Sequence, residues 1–185
     1  MGTRLDDLAA IEGAVWQALE DAVRVKGAAS AQWRVAVLAT RDGDEADARS
    51  VVLREIDSAT RTLLIYTDAR SAKLAQIAAH PQGMLVLWSE ALGWQLRLRV
   101  QLQAGTDGLA LASRWARIQL TPAAHDYLSP LPPGSPLAAP RPERGSRAHF
   151  AVLTARVVSV DWLELHADGH RRARFDAGGR RWLTP

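Results

Sequence analysis

No cysteine occurs among the 185 residues. That absence excludes a disulfide framework, a thiolate metal centre and a thiol nucleophile. Of the five histidines, His166 and His170 stand four apart. They fall in a stretch that reads as a hairpin and not as a helix, so the spacing makes no metal site. No apolar run approaches the roughly 18 residues that a membrane-spanning helix requires. The opening MGTRLDDLAAIEGAV brings acids in early and builds no uninterrupted apolar core, which speaks against a secretory signal. A cytoplasmic protein that does not enter a membrane is the expectation. A large excess of one charge is also missing: Lys and Arg number 23 against 20 Asp and Glu, a formal +3. The arginines are scattered through predicted strands, and only HRRARFDAGGRR is dense. Nucleic-acid binding calls for cations gathered on one face, so nucleic acid is not the expected partner.

What is present is enough apolar sequence for a core. Hydrophobic residues make up 48% and charged residues 23%, the balance of a soluble globular chain of one domain over residues 1–185. Within the N-terminal segment 1–27, Leu5, Leu8, Ile11, Val15, Leu19 and Val23 recur at helical spacing and predict a helix over 5–25. Lys26-Gly27 supplies its end, a cation followed by a glycine cap. Trp33–Thr40 reads as a strand bounded by the turn-like RDGDEAD. Ser50–Ile56 and Arg61–Thr67 pair across Asp57-Ser58-Ala59-Thr60, and Ser71–Ala79 is a short helix halted by His80-Pro81. Gly83–Ser89 and Trp94–Gln103 are further strands. In the second, Gln95, Arg97, Arg99, Gln101 and Gln103 alternate with Leu96, Leu98, Val100 and Leu102, which predicts one buried face. A helix over 107–119 precedes a proline-rich loop over 128–147, lid-like or a mobile connector. Phe150–Val160 is a last long strand, followed by a hairpin or meander. The fold class is mainly β, α+β: an antiparallel, closed or partly closed barrel with flanking helices.

The densest chemistry lies in Ala48–Lys73. Arg49 and Arg54 bracket an apolar strand, and Arg70, Ser71 and Lys73 collect where the next strand gives way to a helix. A helix start offers free backbone N–H groups, and two cations with a hydroxyl complete a site for a phosphate. Taken singly, each residue also has an ordinary structural reading. Arg49 and Arg54 fit solvated strand positions, Lys73 a helix surface, Gln95 an exposed polar face, and Trp162 a core aromatic.

Several segments then follow in a telling order. Arg49-Ser50-Val51-Val52-Leu53-Arg54 forms one strand; Tyr66-Thr67 ends the next and leads to Arg70-Ser71-Ala72-Lys73. Gln95 follows a short turn on a later strand. Trp162, Arg174-Phe175 and Trp182-Leu183-Thr184-Pro185 close the chain. In this order and spacing the sequence resembles the pyridoxamine 5′-phosphate oxidase family of FMN-binding split barrels, from about Trp33 to Pro185. The resemblance implies FMN as cofactor, with a phosphate of about −1.5 to −2 charge to be neutralised. It implies that Arg49, Arg70 and Lys73, with the hydroxyls of Ser71 and Thr67, hold that phosphate. The strand Ser50, Val51, Val52, Leu53 and Arg54, with Tyr66, would border the flavin ring. It further implies a homodimer with the flavin between subunits, Gln95, Trp162 and Arg174 acting across the interface, and a small-molecule substrate.

The departures fall on the substrate side. In the family an Arg-Leu-His-Asp-Arg stretch meets the substrate; here the stretch is His170-Arg171-Arg172-Ala173-Arg174, with Arg172 for the histidine and Ala173 for the acid. Arg54 stands where the family has a lysine, and Trp115–Asp126 offers no match to its substrate-phosphate residues, Arg117 being off in spacing. The expectation is an FMN-dependent oxidoreductase with an altered substrate and no assignable catalytic side chain. The alternatives are a non-catalytic FMN-binding, flavin-storage or sensor protein, and a nucleic-acid or other anion binder that uses the barrel and the basic tail.

Overall fold

A computed structural model describes residues 4–24, 29–139, 145 and 148–185. The expected helix end at Lys26-Gly27 and part of the proline-rich loop lie outside these residues. Helix α1 (Leu8–Arg24) buries Ile11, Val15 and Leu19 completely, as its apolar spacing requires. It packs on a 3₁₀ turn (Ala29–Arg34), on strand β2 (Glu45–Asp57) and on β8 (Gly179–Leu183). Glu12 on its buried face takes ion pairs from Arg61 at 2.6 Å and Arg180 at 2.7 Å, tying the helix to two separate parts of the sheet.

Trp33 belongs to the 3₁₀ turn and not to a strand, because its ring is needed inside, 6.1 Å from that of Trp94. Strand β1 begins at Val35 and runs to Asp42 (Val35–Asp42). RDGDEAD is mostly strand as well. β1 pairs with β2 down to Asp42 opposite Glu45, leaving a two-residue turn with Gly43 at φ 59°, a position that glycine takes without a Cβ clash. This end of the hairpin is exposed on both faces, so no hydrophobic alternation announces it.

The remaining elements follow the predicted order: β3 (Thr62–Asp68), α2 (Ala72–Ala79), β4 (Gln82–Ser89), β5 (Trp94–Gly105), α3 (Leu109–Ile118), a 3₁₀ turn (Pro122–Tyr127), β6 (Phe150–Glu164) and β7 (Arg171–Asp176). Sheet order is β3-β2-β1-β4-β5-β6-β7-β8, with β3 also paired to β6. Six strands therefore close a barrel, and β7 and β8 extend from it. The division happens along β6. Its first half, Phe150–Arg156, pairs with β3; its second half, Ser159–Glu164, pairs with β7. Between them the register to β5 steps from Val157 to Ser159, leaving Val158 as an extra, exposed residue. A bulge of this kind bends and twists a strand, and here it is where β6 changes partners.

The barrel is filled by Leu38, Leu53, Leu63, Ile65, Leu85, Leu96, Leu98, Leu153 and Trp162, all essentially inaccessible. A second, smaller cluster of Tyr127, Phe150 and Val152 sits under α3 and the second 3₁₀ turn. Every arginine from Arg171 to Arg181 is ion-paired, to Glu164, Asp6, Asp161, Glu12 or Asp176. The basic tail is thus bound into the sheet and is no free patch. No helix among the described residues is long and apolar enough to cross a membrane.

Two glycines give opposite tests of this packing. Gly93, at φ 62° in the β4–β5 turn, would place a Cβ 2.7 Å from the Leu165 carbonyl oxygen, whereas Gly13 on the open face of α1 has nothing within 4 Å. Gly93→Ala is expected to destabilise by about 1–3 kcal/mol. Gly13→Ala should stabilise by about 0.5–1 kcal/mol. Urea melts read both, and shifts of the same sign would contradict the geometry.

Candidate functional site

A cavity of about 290 Å³ runs along the outer side of β2 and β3. Its floor is Arg49 to Val52 with Arg54, Ile65 and Tyr66; Thr67, Asp68 and Lys73 close one end, and Asp126, Tyr127 and Pro133 form a roof. At the closed end, β3 finishes against the start of α2. Ser71 sits at the helix N-cap but makes no capping bond with its side chain. Its hydroxyl instead accepts from Lys73 Nζ at 3.0 Å, and Thr67 Oγ1 accepts from the same ammonium at 2.9 Å. Among the described residues no carboxylate bonds to Lys73. Burial holds this ammonium below its ordinary pKa, the nearby Arg49 pushes the same way, and Asp68 and Asp47 only partly oppose them.

Arg49 approaches from β2. It points to the barrel end, where its guanidinium donates to Thr40 Oγ1, to Leu38 O at 3.4 Å and to Gln76 Oε1 at 2.9 Å, and pairs with Asp47. Gln76 of α2 in turn donates to Asp47 at 2.9 Å. That bond and the Arg49 pair hold the Asp47 carboxyl below the usual carboxylate range. The result is a braced guanidinium beside an ammonium that has only neutral partners. An uncompensated, half-buried cation of this kind is costly unless an anion joins it.

Farther along the floor, β2 has a bulge. Leu53 pairs with Ile65 but Glu55 with Leu64, so Arg54 is the extra residue. Without the bulge, alternation would send Glu55 inward. With it, Arg54 lines the cavity, and Glu55 reaches Tyr66 Oη at 2.6 Å and both Nε and Nη2 of Arg114 at 2.8 and 2.9 Å. Those bonds, the Arg114 pair foremost, depress the Glu55 carboxyl. Burial, helped by Glu55, pushes the Tyr66 phenol up to about 12. Arg54 lies 5.9 Å over the Tyr66 ring, and its Nε is buried without a partner.

The sequence-chosen residues divide into four groups. Arg49, Ser50, Val51, Val52, Arg54, Tyr66, Thr67 and Lys73 are brought together around the cavity, with Ser71 against Lys73; Leu53 points into the core, so only its backbone faces this region. Arg70 is turned elsewhere. Its guanidinium grips Asp68 at 2.7 and 3.0 Å and donates to the carbonyls of Ser129, Pro130 and Leu131. Gln95 and Arg174 share the outer face of the sheet, in register with Trp88 and with Asp161 and Arg97. Trp162 does not share that face. It lies in the row Leu96–Trp162–Ala173, wholly inside the core, with its ring 5.5 Å from Trp94. The expectation that Trp162 touches a ligand fails because its strand parity points it inward. Asp68, Gln76, Glu55, Arg114, Asp126 and Tyr127 were missed. Gln76, Glu55 and Arg114 act through partners distant in sequence, and Asp126 and Tyr127 reach the cavity only through the fold. Asp68 pairs with Arg70 two residues on, and the bulge at Arg54 leaves no mark in composition.

Comparison with known proteins gives the family and the fold. Residues 13–105 match the family described as pyridoxamine 5′-phosphate oxidase, FMN-binding domain. A pyridoxine/pyridoxamine 5′-phosphate oxidase of Caulobacter vibrioides is 28% identical over 151 residues, covering 75% of this chain and 67% of that protein. Among solved structures, a pyridoxamine 5′-phosphate oxidase-related, FMN-binding protein of Nostoc punctiforme superposes with a TM-score of 0.72 at 24% identity, over all of both chains. PhzG from Burkholderia lata, solved with tetrahydrophenazine-1-carboxylic acid, gives a TM-score of 0.69 at 18% identity, over 97% of this chain and 94% of that one. At these identities the two structures establish the split-barrel fold.

The chain has two tyrosines, Tyr66 and Tyr127, and both phenols are raised by burial. A spectrophotometric titration of the native protein should show phenolate only above the ordinary tyrosine value of about 10. Glu55→Gln removes a hydrogen-bonded negative charge and should bring the Tyr66 step down. Ordinary titration of both phenols in the native protein would refute the Tyr66–Glu55 contact.

Proposed function

The chain belongs to the pyridoxamine 5′-phosphate oxidase FMN-binding family, and on that premise we propose that it is an FMN-dependent oxidoreductase with an altered substrate. The observation that carries the reading is Lys73, a half-buried ammonium bonded only to Thr67 and Ser71, with Arg49 beside it. A phosphomonoester supplies the missing charge and its oxygens match these donors, so the residues fit FMN. Arg49 and Lys73 would hold the phosphate, braced by Asp47, Gln76 and the two hydroxyls. The Ser50–Arg54 segment would border the ring, and Asp126, Tyr127 and Pro133 would keep water from it. When bound, the flavin supplies hydride exchange, the step no side chain here performs. Tyr66, with its phenol near 12, keeps its proton at neutral pH and serves as a donor to Glu55.

The substrate reading rests on the tail. Arg172 is held in a fork by Asp161 at 2.9 and 2.9 Å, and Ala173 is fully buried. Neither presents a free polar group to a substrate phosphate, which argues for a substrate other than pyridoxamine or pyridoxine phosphate. The same observation favours the second reading, a non-catalytic FMN-binding protein. Turnover of the bound cofactor with a reductant and oxygen separates the two.

We also propose a homodimer. Val35, Val37 and Trp88 are exposed on the outer face; Val35 is in register with Val52, Val37 with Ser50 and Val86, and Trp88 with Gln95. Ser50 and Val52 also line the cavity, so a second copy seated on this face would cover its open side. Gln95 and Arg174 would then approach the partner's cavity. Sedimentation should report a dimer that Trp88→Glu weakens; an unchanged monomer in both would refute it.

Purified protein should be yellow, and mass analysis of the released ligand should report FMN. Colourless protein that takes up no added FMN would refute the proposal. Arg49→Ala and Lys73→Met should each weaken FMN binding by about 1.5–3 kcal/mol, the scale of a charge-assisted hydrogen bond. Riboflavin, which lacks the phosphate, should be little affected.

A further inference from the structure

Arg70 stands beside the phosphate end of the cavity yet has its donors committed elsewhere. Asp68, the last residue of β3 and 4% exposed, takes Arg70 Nε at 3.0 Å, Nη2 at 2.7 Å and the Arg70 backbone N–H at 2.8 Å. The carboxylate thereby fixes the plane of the guanidinium. Its outer N–H groups meet three successive backbone carbonyls: Ser129 at 2.8 Å, Pro130 at 3.2 Å and Leu131 at 3.2 Å. This segment belongs to the proline-rich stretch, where prolines lack the N–H needed for any backbone ladder. A planar group with several donors is the chemistry that can hold such a run of carbonyls. Asp126 and Tyr127 just before the gripped residues, and Pro133 just after them, are the roof of the cavity.

We propose that Arg70, oriented by Asp68, is a positioning residue that latches the roof over the flavin cavity and is not a phosphate ligand. The proposal takes the FMN site as its premise for the ligand, but the latch itself is a property of the protein without ligand. Two consequences separate it from a phosphate role. Loss of a latch frees any flavin faster, with or without a phosphate, whereas loss of a phosphate ligand penalises FMN alone. Asp68 must matter as much as Arg70, although a carboxylate beside a phosphate ligand would repel that phosphate.

The test measures dissociation of FMN and of riboflavin by recovery of flavin fluorescence, in the wild type, Arg70→Met, Arg70→Lys and Asp68→Asn. Each variant should release both flavins faster by a common factor of about tenfold, the scale of one lost charge-assisted group. Arg70→Lys should behave like Arg70→Met, since a single ammonium cannot bridge the carboxylate and three carbonyls. The Arg70→Met, Asp68→Asn double variant should be no worse than either single one, because the two side chains act as one unit. A loss confined to FMN, or rescue by Arg70→Lys, would overturn the proposal. A second arm needs no flavin. Thermolysin should cut the flavin-free variants faster than wild type before Leu137, which is exposed in this segment; equal cutting rates would refute the latch even if the protein binds no flavin. Circular dichroism checks the fold, and Asp68→Asn, the milder change, carries the test if Arg70→Met does not fold.

Discussion

The pairing of β3 with the first half of β6 is the contact on which everything else rests. It closes six strands into a barrel and sets Asp68 opposite Phe150. From that pair the roof is assembled: the Ala69 N–H donates to His149 O, and the His149 N–H donates to Tyr127 O. The chain entering β6 is thereby laid against the chain leaving β3, which brings Asp126, Tyr127 and Pro133 to the cavity. Without the pairing the cations of β2 and α2 would lie on an open edge, in water, where their charge would be screened and of little use.

Charge in this molecule is sorted by whether it finds a partner. Arg61, Arg171, Arg172, Arg180 and Arg181 are satisfied by carboxylates and act as fasteners between α1, β6, β7 and β8. Arg114 and Arg70 fasten α3 and the roof in the same manner. Lys73 is different: its bonded partners are hydroxyls, and it is partly desolvated. In a protein rich in arginine and nearly neutral overall, no carboxylate among the described residues bonds this ammonium, which stands beside a cavity of about 290 Å³. That contrast carries the cofactor assignment further than the number of cations does.

How much was legible varies with the kind of signal. Helices and strands whose apolar residues repeat at 3.6 or 2 were read almost to their ends, because burial of one face imposes that period. β5 is the clearest case, with its leucines inside and its glutamines and arginines outside. The β1–β2 extension escaped because both its faces meet water. Trp33 escaped because an aromatic before a strand looks like part of it. Around the cavity, Thr67, Ser71 and Lys73 come together because local order places them near one helix start, and Arg49 joins them from β2. Arg70, only one residue before Ser71, shares that local order, yet its guanidinium bonds Asp68 and the carbonyls of Ser129, Pro130 and Leu131.

The amino-acid sequence by itself determined the mainly β class, the order of elements and the family to which the chain belongs, since each follows from residues close along the chain. Only the tertiary structure decided which cations are free. Lys73 and Arg70 are alike in charge and nearly alike in position, but Asp68 and three carbonyls of a distant loop neutralise and occupy one of them and not the other. The direction of Trp162 into the core, and of Arg54 and Glu55 out of it, was settled in the same way. Strand parity and a single bulge set which side of a sheet a residue faces, and both depend on the partner strand.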